Sequence, residues 1–174
     1  MWFLTQEGVD RYDGKYIKHY NFSDDSIKLD SRIALNWLYM DSGNILWVIG
    51  QKGRIFRYDS QHDKFKLAYI HPELIRNKPQ AFLNYGYLDK NDRIWLCYKD
   101  SITWYDIRTG TTLHMPTPVN GEITAIEQTD SNHFFIGTGN GLFHAGIEKG
   151  KLNIMPDKMV EGIGTSVHEL YYHA

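Results

Sequence analysis

The sequence predicts an all-β fold, a β-propeller of four-stranded antiparallel blades with about four blade repeats in the chain. Three observations lead there. An aromatic-centred string recurs at Trp2, Trp47, Trp95 and Phe135, at separations of 45, 48 and 40 residues, a period that belongs to propeller blades or to helical arrays. Within each copy the apolar segments are short and rich in Val, Ile, Tyr, Phe and Trp, the residues that sheets favour. Turn-forming strings break them, "DSGN", "DKND" and "TDSN" on one side and "DGK", "DSQHD" and "IRTG" on the other, and no 3.6-residue periodicity runs for three turns.

The elements follow in order. The first copy, "MWFLTQEGVDRYDGKYIKHYNF", reads as the outer three strands of a blade. The second copy supplies a full unit, with strands over Ala34 to Met40, Ile45 to Ile49, Ile55 to Asp59 and Lys64 to Ile70, the anatomy of a propeller blade. Its second strand, "ILWVI", is apolar without alternation, as expected when both faces are buried. The third copy repeats the unit at Phe82 to Leu88, Ile94 to Tyr98, Ile102 to Asp106 and Thr111 to His114. The fourth runs Ile123 to Gln128, His133 to Gly137, Gly141 to Ala145 and Lys151 to Ile154. All five prolines fall in the crossovers, which places them outside the sheets because Pro cannot serve an interior ladder, and "HPELIR" has room for one helical turn. Glycines at Gly8, Gly53 and Gly141 mark the second-to-third strand turn, where positive φ is convenient, and Ser101 in that place predicts a different turn. The Tyr-Asp pairs at 12–13, 58–59 and 105–106 end third strands, the carboxylate within reach of the backbone of the following turn.

The repeats span about 1–31, 32–80, 81–121 and 122–159, within a single propeller domain or segment over 1–174. A final inner strand is expected over 166–174, where Val167 and Leu170 match Ile123 and Ile126. That segment either pairs with the first copy and closes a four-bladed ring without edges, or belongs to a longer propeller of which this chain is a part.

A chain of 174 residues is about one domain, able to bury on the order of 70% of its extended-chain surface. Its net charge of -2 gives no positive field for nucleic acid. Cys97 is the only cysteine, so an internal disulfide and a cysteine-based zinc site are both excluded, and its setting in "IWLCYK" is that of a small buried hydrophobe. No stretch approaches the ~20 apolar residues of a membrane span, and Glu7 comes too early for a signal peptide. "GTGNG" at 137–141 lacks the lysine and helix of a phosphate loop and reads as a hairpin. The eight histidines show no metal-binding spacing; His168 and His173 fall on opposite faces of a strand. The serines lack a nucleophile-elbow context, and Asp24-Asp25 reads as solvated crossover. No catalytic residue, metal or cofactor is expected.

The pattern W-x-x-T-x-x-G-[LV]-x-R-[YF]-D resembles the two-component regulator propeller repeat, found in sensor regions of hybrid histidine kinases. The first copy carries it as Trp2, Thr5, Gly8, Val9, Arg11, Tyr12, Asp13 and Gly14. The second keeps Trp47, Gly50, Gly53, Arg57, Tyr58 and Asp59 with one extra residue. The third keeps Trp95, Trp104, Tyr105 and Asp106, and the fourth Thr138, Gly141 and Leu142, departing at Ala145-Gly146. The resemblance implies a periplasmic ligand-sensing module, often for oligosaccharides, in a parent protein anchored in the inner membrane and followed by a kinase.

Propellers bind ligands on the face built from crossovers and second-to-third strand turns, where loops ride on a rigid scaffold. Here that face draws on Gln6, Glu7, Gln51, Lys52, Lys99, Asp100 and Asn140 from the turns, and on Asn36, Trp37, Asn84 and Tyr85 from the starts of inner strands. Amide beside aromatic suits a sugar, through hydrogen bonds to hydroxyls and stacking on C–H faces, although aromatics so placed more often fill the gap between blades. The expected partners are an oligosaccharide and, through strand edges, the other blades of a parent protein or a second copy of the chain; nucleic acid and membrane contact are not expected. The other reading is a protein-interaction or self-association scaffold.

Overall fold

The computed structural model describes residues 1–22, 34–72, 82–117, 119, 121–159 and 166–171. Among these, fifteen strands form four antiparallel sheets. The chain divides into two compact units, Met1–Gln80 and Ala81–Ala174, with two sheets in each.

In the first unit, β1 (Trp2–Leu4), β2 (Val9–Tyr12) and β3 (Ile17–Tyr20) form a three-stranded sheet in that order. β4 (Leu35–Met40), β5 (Leu46–Gly50), β6 (Arg54–Asp59) and β7 (Lys64–Tyr69) form a four-stranded meander. The second unit holds two such meanders. One comprises β8 (Leu83–Leu88), β9 (Arg93–Tyr98), β10 (Ser101–Asp106) and β11 (Thr112–Pro116); the other comprises β12 (Ile123–Gln128), β13 (His133–Thr138), β14 (Gly141–Glu148) and β15 (Lys151–Met159). Each is a sheet of propeller-blade type with its first strand at one edge.

In the second and third blades the second strand is the most buried. Every residue of β5 is buried, as are Ile94 to Tyr98 of β9, which is why neither sequence alternates. Trp95, Trp104, Phe134, Ile136 and Ile123 form one core in the second unit. Val9, Val48 and Phe56 form another in the first, with Trp2, Leu4, Phe22 and Phe65 against it. Cys97 lies in the second core, where burial alone pushes its thiol well above the usual range. Native protein is therefore expected to leave Cys97 unreacted with Ellman's reagent for as long as it stays folded, with full reaction on denaturation; rapid labelling of the folded chain would contradict the burial.

The turn before each second strand explains the recurring tryptophan. Asp41 accepts hydrogen bonds at Oδ1 from the Gly43 and Ile45 amides (2.9 and 2.8 Å) and at Oδ2 from Trp47 Nε1 (2.7 Å). Asp89 does the same with the Asn91 and Arg93 amides (both 2.9 Å) and Trp95 Nε1 (2.8 Å), and adds Arg93 Nε at 2.7 Å. One carboxylate thus orders a turn and fixes an indole six residues on. In the fourth blade both partners change together: Thr129 stands where the aspartate would, its amide donating to His133 O (3.0 Å) as those of Asp41 and Asp89 donate to Ile45 O and Arg93 O, and Phe135 replaces the tryptophan. At the other end, Asp13, Asp59 and Asp106 each accept from the two backbone amides that follow within three residues, the role expected of the Tyr-Asp pairs.

The two sheets of the first unit are joined by Asp63, which accepts from Tyr20 and Tyr58 hydroxyls (both 2.6 Å), Arg11 Nη1 (3.1 Å) and Lys18 Nζ (2.5 Å). Lys18, then the two tyrosines, then Arg11 hold this carboxyl well below the usual range. A depressed folded-state pKa contributes stability above the unfolded value of about 4 and loses it as pH falls below. Asp63→Asn should therefore flatten the loss of stability below about pH 4 while lowering stability at neutral pH, as read by denaturant titrations across pH; an unchanged acid limb would remove Asp63 as its source.

Four expectations need correction. Gly8 does not adopt positive φ, whereas Gly53 (80°) and Gly141 (135°) do; Gly8 is required because a Cβ there would lie 2.3 Å from Tyr20 O. Pro116 and Pro156 lie within β11 and β15 instead of outside the sheets, which is tolerable because both are edge strands whose outer amides need no partner in the ladder. The outer strand of the fourth blade extends to Met159, with a register shift between Phe143 and Ala145 that takes up the extra residues. Residues 166–171 are not in a strand; the Val167 amide instead donates to Thr138 O at 3.0 Å. The helical turn expected in "HPELIR" lies, beyond Pro72, outside the described residues.

Candidate functional site

Each full blade carries a β-bulge at the same place on its inner strand. Leu35 pairs with Gly50 and Trp37 with Ile49, leaving Asn36 as the extra residue. Leu83 pairs with Tyr98 and Tyr85 with Cys97, leaving Asn84. Ile123 pairs with Thr138 and Ala125 with Gly137, leaving Thr124. A bulge re-aims its side chain out of the ladder, and all three bulged residues are polar. Because Gly50, Tyr98 and Thr138 end their strands, each bulge sits beside the second-to-third strand turn of its own blade.

The structure thereby brings the expected residues together blade by blade. In the second blade, Asn36 and Trp37 lie on the strand paired with β5, directly after which come Gln51 and Lys52; the Gln51 amide donates to Ala34 O at 2.7 Å, and Lys52 adopts a φ of 67°. In the third, Asn84 and Tyr85 face the end of β9, after which Lys99 and Asp100 form the exposed turn, with Asp100 O accepting from the Thr117 amide at 3.1 Å. In the fourth, exposed Asn140 lies against Gly121, where an added Cβ would come within 3.0 Å of its Nδ2. Gln6 and Glu7 sit exposed in the β1–β2 turn, which Thr5 Oγ1 organises by accepting from the Gly8 amide at 3.1 Å.

The aromatics at the bulges are not equivalent to open stacking platforms. Tyr85 is packed against the core of the second unit. Burial raises its hydroxyl pKa, opposed by a hydrogen bond with the Ile126 backbone, while Glu127 and Glu169 add to the rise. Its hydroxyl thus meets the backbone of β12. Asn84 is half-buried, its Nδ2 enclosed and without a hydrogen-bond partner among the described residues, whereas Asn36 is exposed.

Sequence reasoning missed Thr124, the third bulge residue, because its fourth-blade register was set on Asp130 instead of Thr129; the Thr129–Phe135 spacing, equal to Asp41–Trp47, carried the signal. The fourth bulge is filled. Val167 donates its amide to Thr138 O (3.0 Å), accepts from the Thr124 hydroxyl, and lays its side chain against Gly137. The bulge and the adjacent strand end together form a donor–acceptor pair that accommodates a group offering one donor and one acceptor. A peptide unit does so here; vicinal hydroxyls have the same complementarity. Among the described residues, no group of three His, Cys, Asp or Glu side chains is placed to hold a metal ion, and no helix is long and apolar enough to cross a membrane.

No protein-family model matches the sequence, that of the regulator propeller repeat included, and no curated protein matches it. Solved structures do. The extracellular domain of a putative hybrid two-component system from B. thetaiotaomicron matches with a TM-score of 0.64 at 20% identity, over 90% of this chain and 23% of that one. The extracellular domain of a second B. thetaiotaomicron protein, a putative one-component system, matches with a TM-score of 0.67 at 15% identity, over 98% of this chain and 23% of that one. PorZ, a surface component of the type-IX secretion system of Porphyromonas gingivalis, matches with a TM-score of 0.63 at 13% identity, over 97% and 28%. The chain thus spans about a quarter of the length of these proteins, and at such identities the likeness establishes the fold.

Proposed function

We propose that the chain is an extracytoplasmic, ligand-sensing propeller segment of a hybrid two-component sensor histidine kinase. It recognises a carbohydrate, passes the signal through domains beyond these residues, and is itself non-catalytic. The observation that carries this reading is the likeness to extracellular domains of putative hybrid two-component systems over 90% and 98% of the chain. The bulges support it chemically: the amides of Asn36 and Asn84 stand next to Trp37 and Tyr85, beside the turns that hold Gln51, Lys52, Lys99 and Asp100. A second reading, a non-enzymatic interaction scaffold, is favoured by the likeness to a secretion-system surface component. Glycan-array screening of the chain, followed by calorimetry, separates them. The sensor reading expects an oligosaccharide whose affinity falls about tenfold or more in Asn84→Ala or Asn36→Ala, the loss expected for hydrogen bonds left unmade. No saccharide binding, or binding that neither substitution alters, overturns the carbohydrate assignment.

A further inference from the structure

The turns between second and third strands differ in one chemical respect. Glu7-Gly8, Lys52-Gly53 and Asp100-Ser101 occupy that place in the first three sheets, whereas the fourth has Asn140-Gly141. Gly141 has a φ of 135°, a conformation open to glycine and rarely adopted by residues that carry a side chain. The turn thus fixes a glycine directly after an exposed carboxamide.

That order of residues is chemically labile. A glycine N–H has no Cβ beside it to hinder its approach to the side-chain carbonyl of the residue before. Every other asparagine among the described residues is followed by Phe, Trp, Ile, Tyr, Asp or His, whose side chain obstructs that approach. Asp13 also precedes a glycine, but hydrogen bonds from the Tyr16 and Lys15 amides hold its carboxyl ionised, below the usual range, and a carboxylate resists attack by an amide nitrogen. Asn120 precedes Gly121 in the sequence and lies outside the described residues.

The place of the step in the hairpin favours it too. Gly141 meets Thr138 at the last rung before the turn, and at Gly139 nothing lies within 4 Å of an added Cβ. Opening that one rung releases the Gly141 backbone, and hairpin tips open at little cost in free energy. The turn is otherwise held by the Thr138 hydroxyl, which accepts from the Asn140 amide at 3.0 Å and donates to Gly141 O at 3.1 Å.

We propose that Asn140 is a site of spontaneous modification, at which the chain converts its own side-chain amide to an acid. The Gly141 nitrogen attacks Asn140 Cγ, a new C–N bond forms, the Cγ–Nδ2 bond breaks, and ammonia leaves with the proton that Gly141 gives up. Water then adds across one of the two C–N bonds of the cyclic imide. Opening at Cγ gives aspartate; opening at the Asn140 backbone carbonyl gives isoaspartate, joined to Gly141 through its side chain. Either product adds a carboxylate to the turn of the fourth blade. Isoaspartate also inserts a carbon into the main chain between the two groups that the Thr138 hydroxyl joins, so both bonds cannot keep their present spacing. The turn loosens, and with it Thr138 O, which accepts the Val167 amide at 3.0 Å. The inference goes beyond the sensing reading and does not rest on it.

The test incubates the full, folded chain at mildly alkaline pH and physiological temperature. Isoaspartate is quantified by isoaspartyl methyltransferase labelling, tandem mass spectrometry of proteolytic peptides places it in the sequence, and hydrogen exchange follows Val167. Asn140 should be modified at least about tenfold faster than any described asparagine that lacks a following glycine, a barrier difference of about 1.4 kcal/mol. Isoaspartate should exceed aspartate, and the Val167 amide should exchange faster in the modified chain. Asn140→Gln, which keeps the amide but needs a larger ring to cyclise, should lose the signal at 140 and keep Val167 protected through the same incubation. An Asn140 that stays intact in the folded chain while the denatured chain reacts overturns the proposal, because the hairpin then shields the step. Modification confined to Asn120 overturns the assignment to Asn140, and modification at Asn140 that leaves Val167 exchange unchanged overturns the loosening of the turn.

Discussion

Asp89→Ala is expected to be among the most destabilising single substitutions in the second unit, costing about 3–5 kcal/mol, the range for removing one partner of a buried charged network. The carboxylate side chain is wholly buried and accepts from two backbone amides, the Arg93 Nε and the Trp95 indole. Alanine leaves all of these donors in place. Arg93, 17% exposed and 5.1 Å from the Trp104 ring centre, would hold a largely enclosed charge without its counter-ion, and Trp95 would keep an indole N–H directed at a void. At about 4–8 °C per kcal/mol for a unit of this size, the melting temperature should fall by more than 10 °C. Asp130→Ala is the control. Its carboxylate, 60% exposed, accepts from the Asn132 and His133 amides in the equivalent turn of the last blade, so water replaces what is lost and the cost should stay near 1 kcal/mol. Thermal unfolding followed by circular dichroism measures both. Similar losses at the two positions would mean that turn formation, and not the buried indole and guanidinium, sets the value of Asp89.

The contrast between those aspartates also shows where sequence reading succeeds. Blade order, strand identity and most strand limits follow from the Trp period, the apolar runs and the turn strings, because those signals are local. β12 runs Ile123–Gln128 as expected, and β4 and β8 begin one residue late. The pairing of Asn36 with Asn84 was also visible, since both lie five residues before an aspartate. What was not visible was the cause of that pairing. A bulge is a property of two strands in register, and Thr124 joins the set only once Ile123 is seen opposite Thr138 and Ala125 opposite Gly137. The resting place of Val167 was hidden for the same reason. Its sequence matches an inner strand, but its amide is held by Thr138, a non-local contact that no pattern within 166–174 encodes. Proline misled in the opposite direction: its local rule is sound for interior strands, and Pro116 ends a strand whose outer edge has no neighbour among the described residues.

Gly8→Ala and Gly137→Ala should separate two kinds of close packing that sequence cannot distinguish. At Gly8 the added Cβ would lie 2.3 Å from Tyr20 O, with His19 Cε1 at 3.0 Å. That oxygen belongs to the backbone of β3, and Tyr20 is paired with Val9, the next residue. Neither side can yield without opening the β2–β3 ladder and disturbing Tyr20, whose hydroxyl bonds Asp63. Overpacking of this kind costs about 3 kcal/mol or more when only backbone can move. At Gly137 the Cβ would meet Val167 Cγ1 at 2.8 Å and Ala125 Cβ at 3.2 Å. The nearer atom is the end of a side chain on a segment outside any strand, so the segment can lift away at the cost of one backbone hydrogen bond and a Thr124 contact, roughly 1–2 kcal/mol. Denaturant unfolding should therefore show the larger loss for Gly8→Ala. Amide exchange should show faster exchange at Val167 in Gly137→Ala, with β13 still protected. If instead β13 loses protection with Val167, the terminal segment is a structural part of the fourth blade, and the Thr124 bulge is not a site that an exchangeable ligand could occupy.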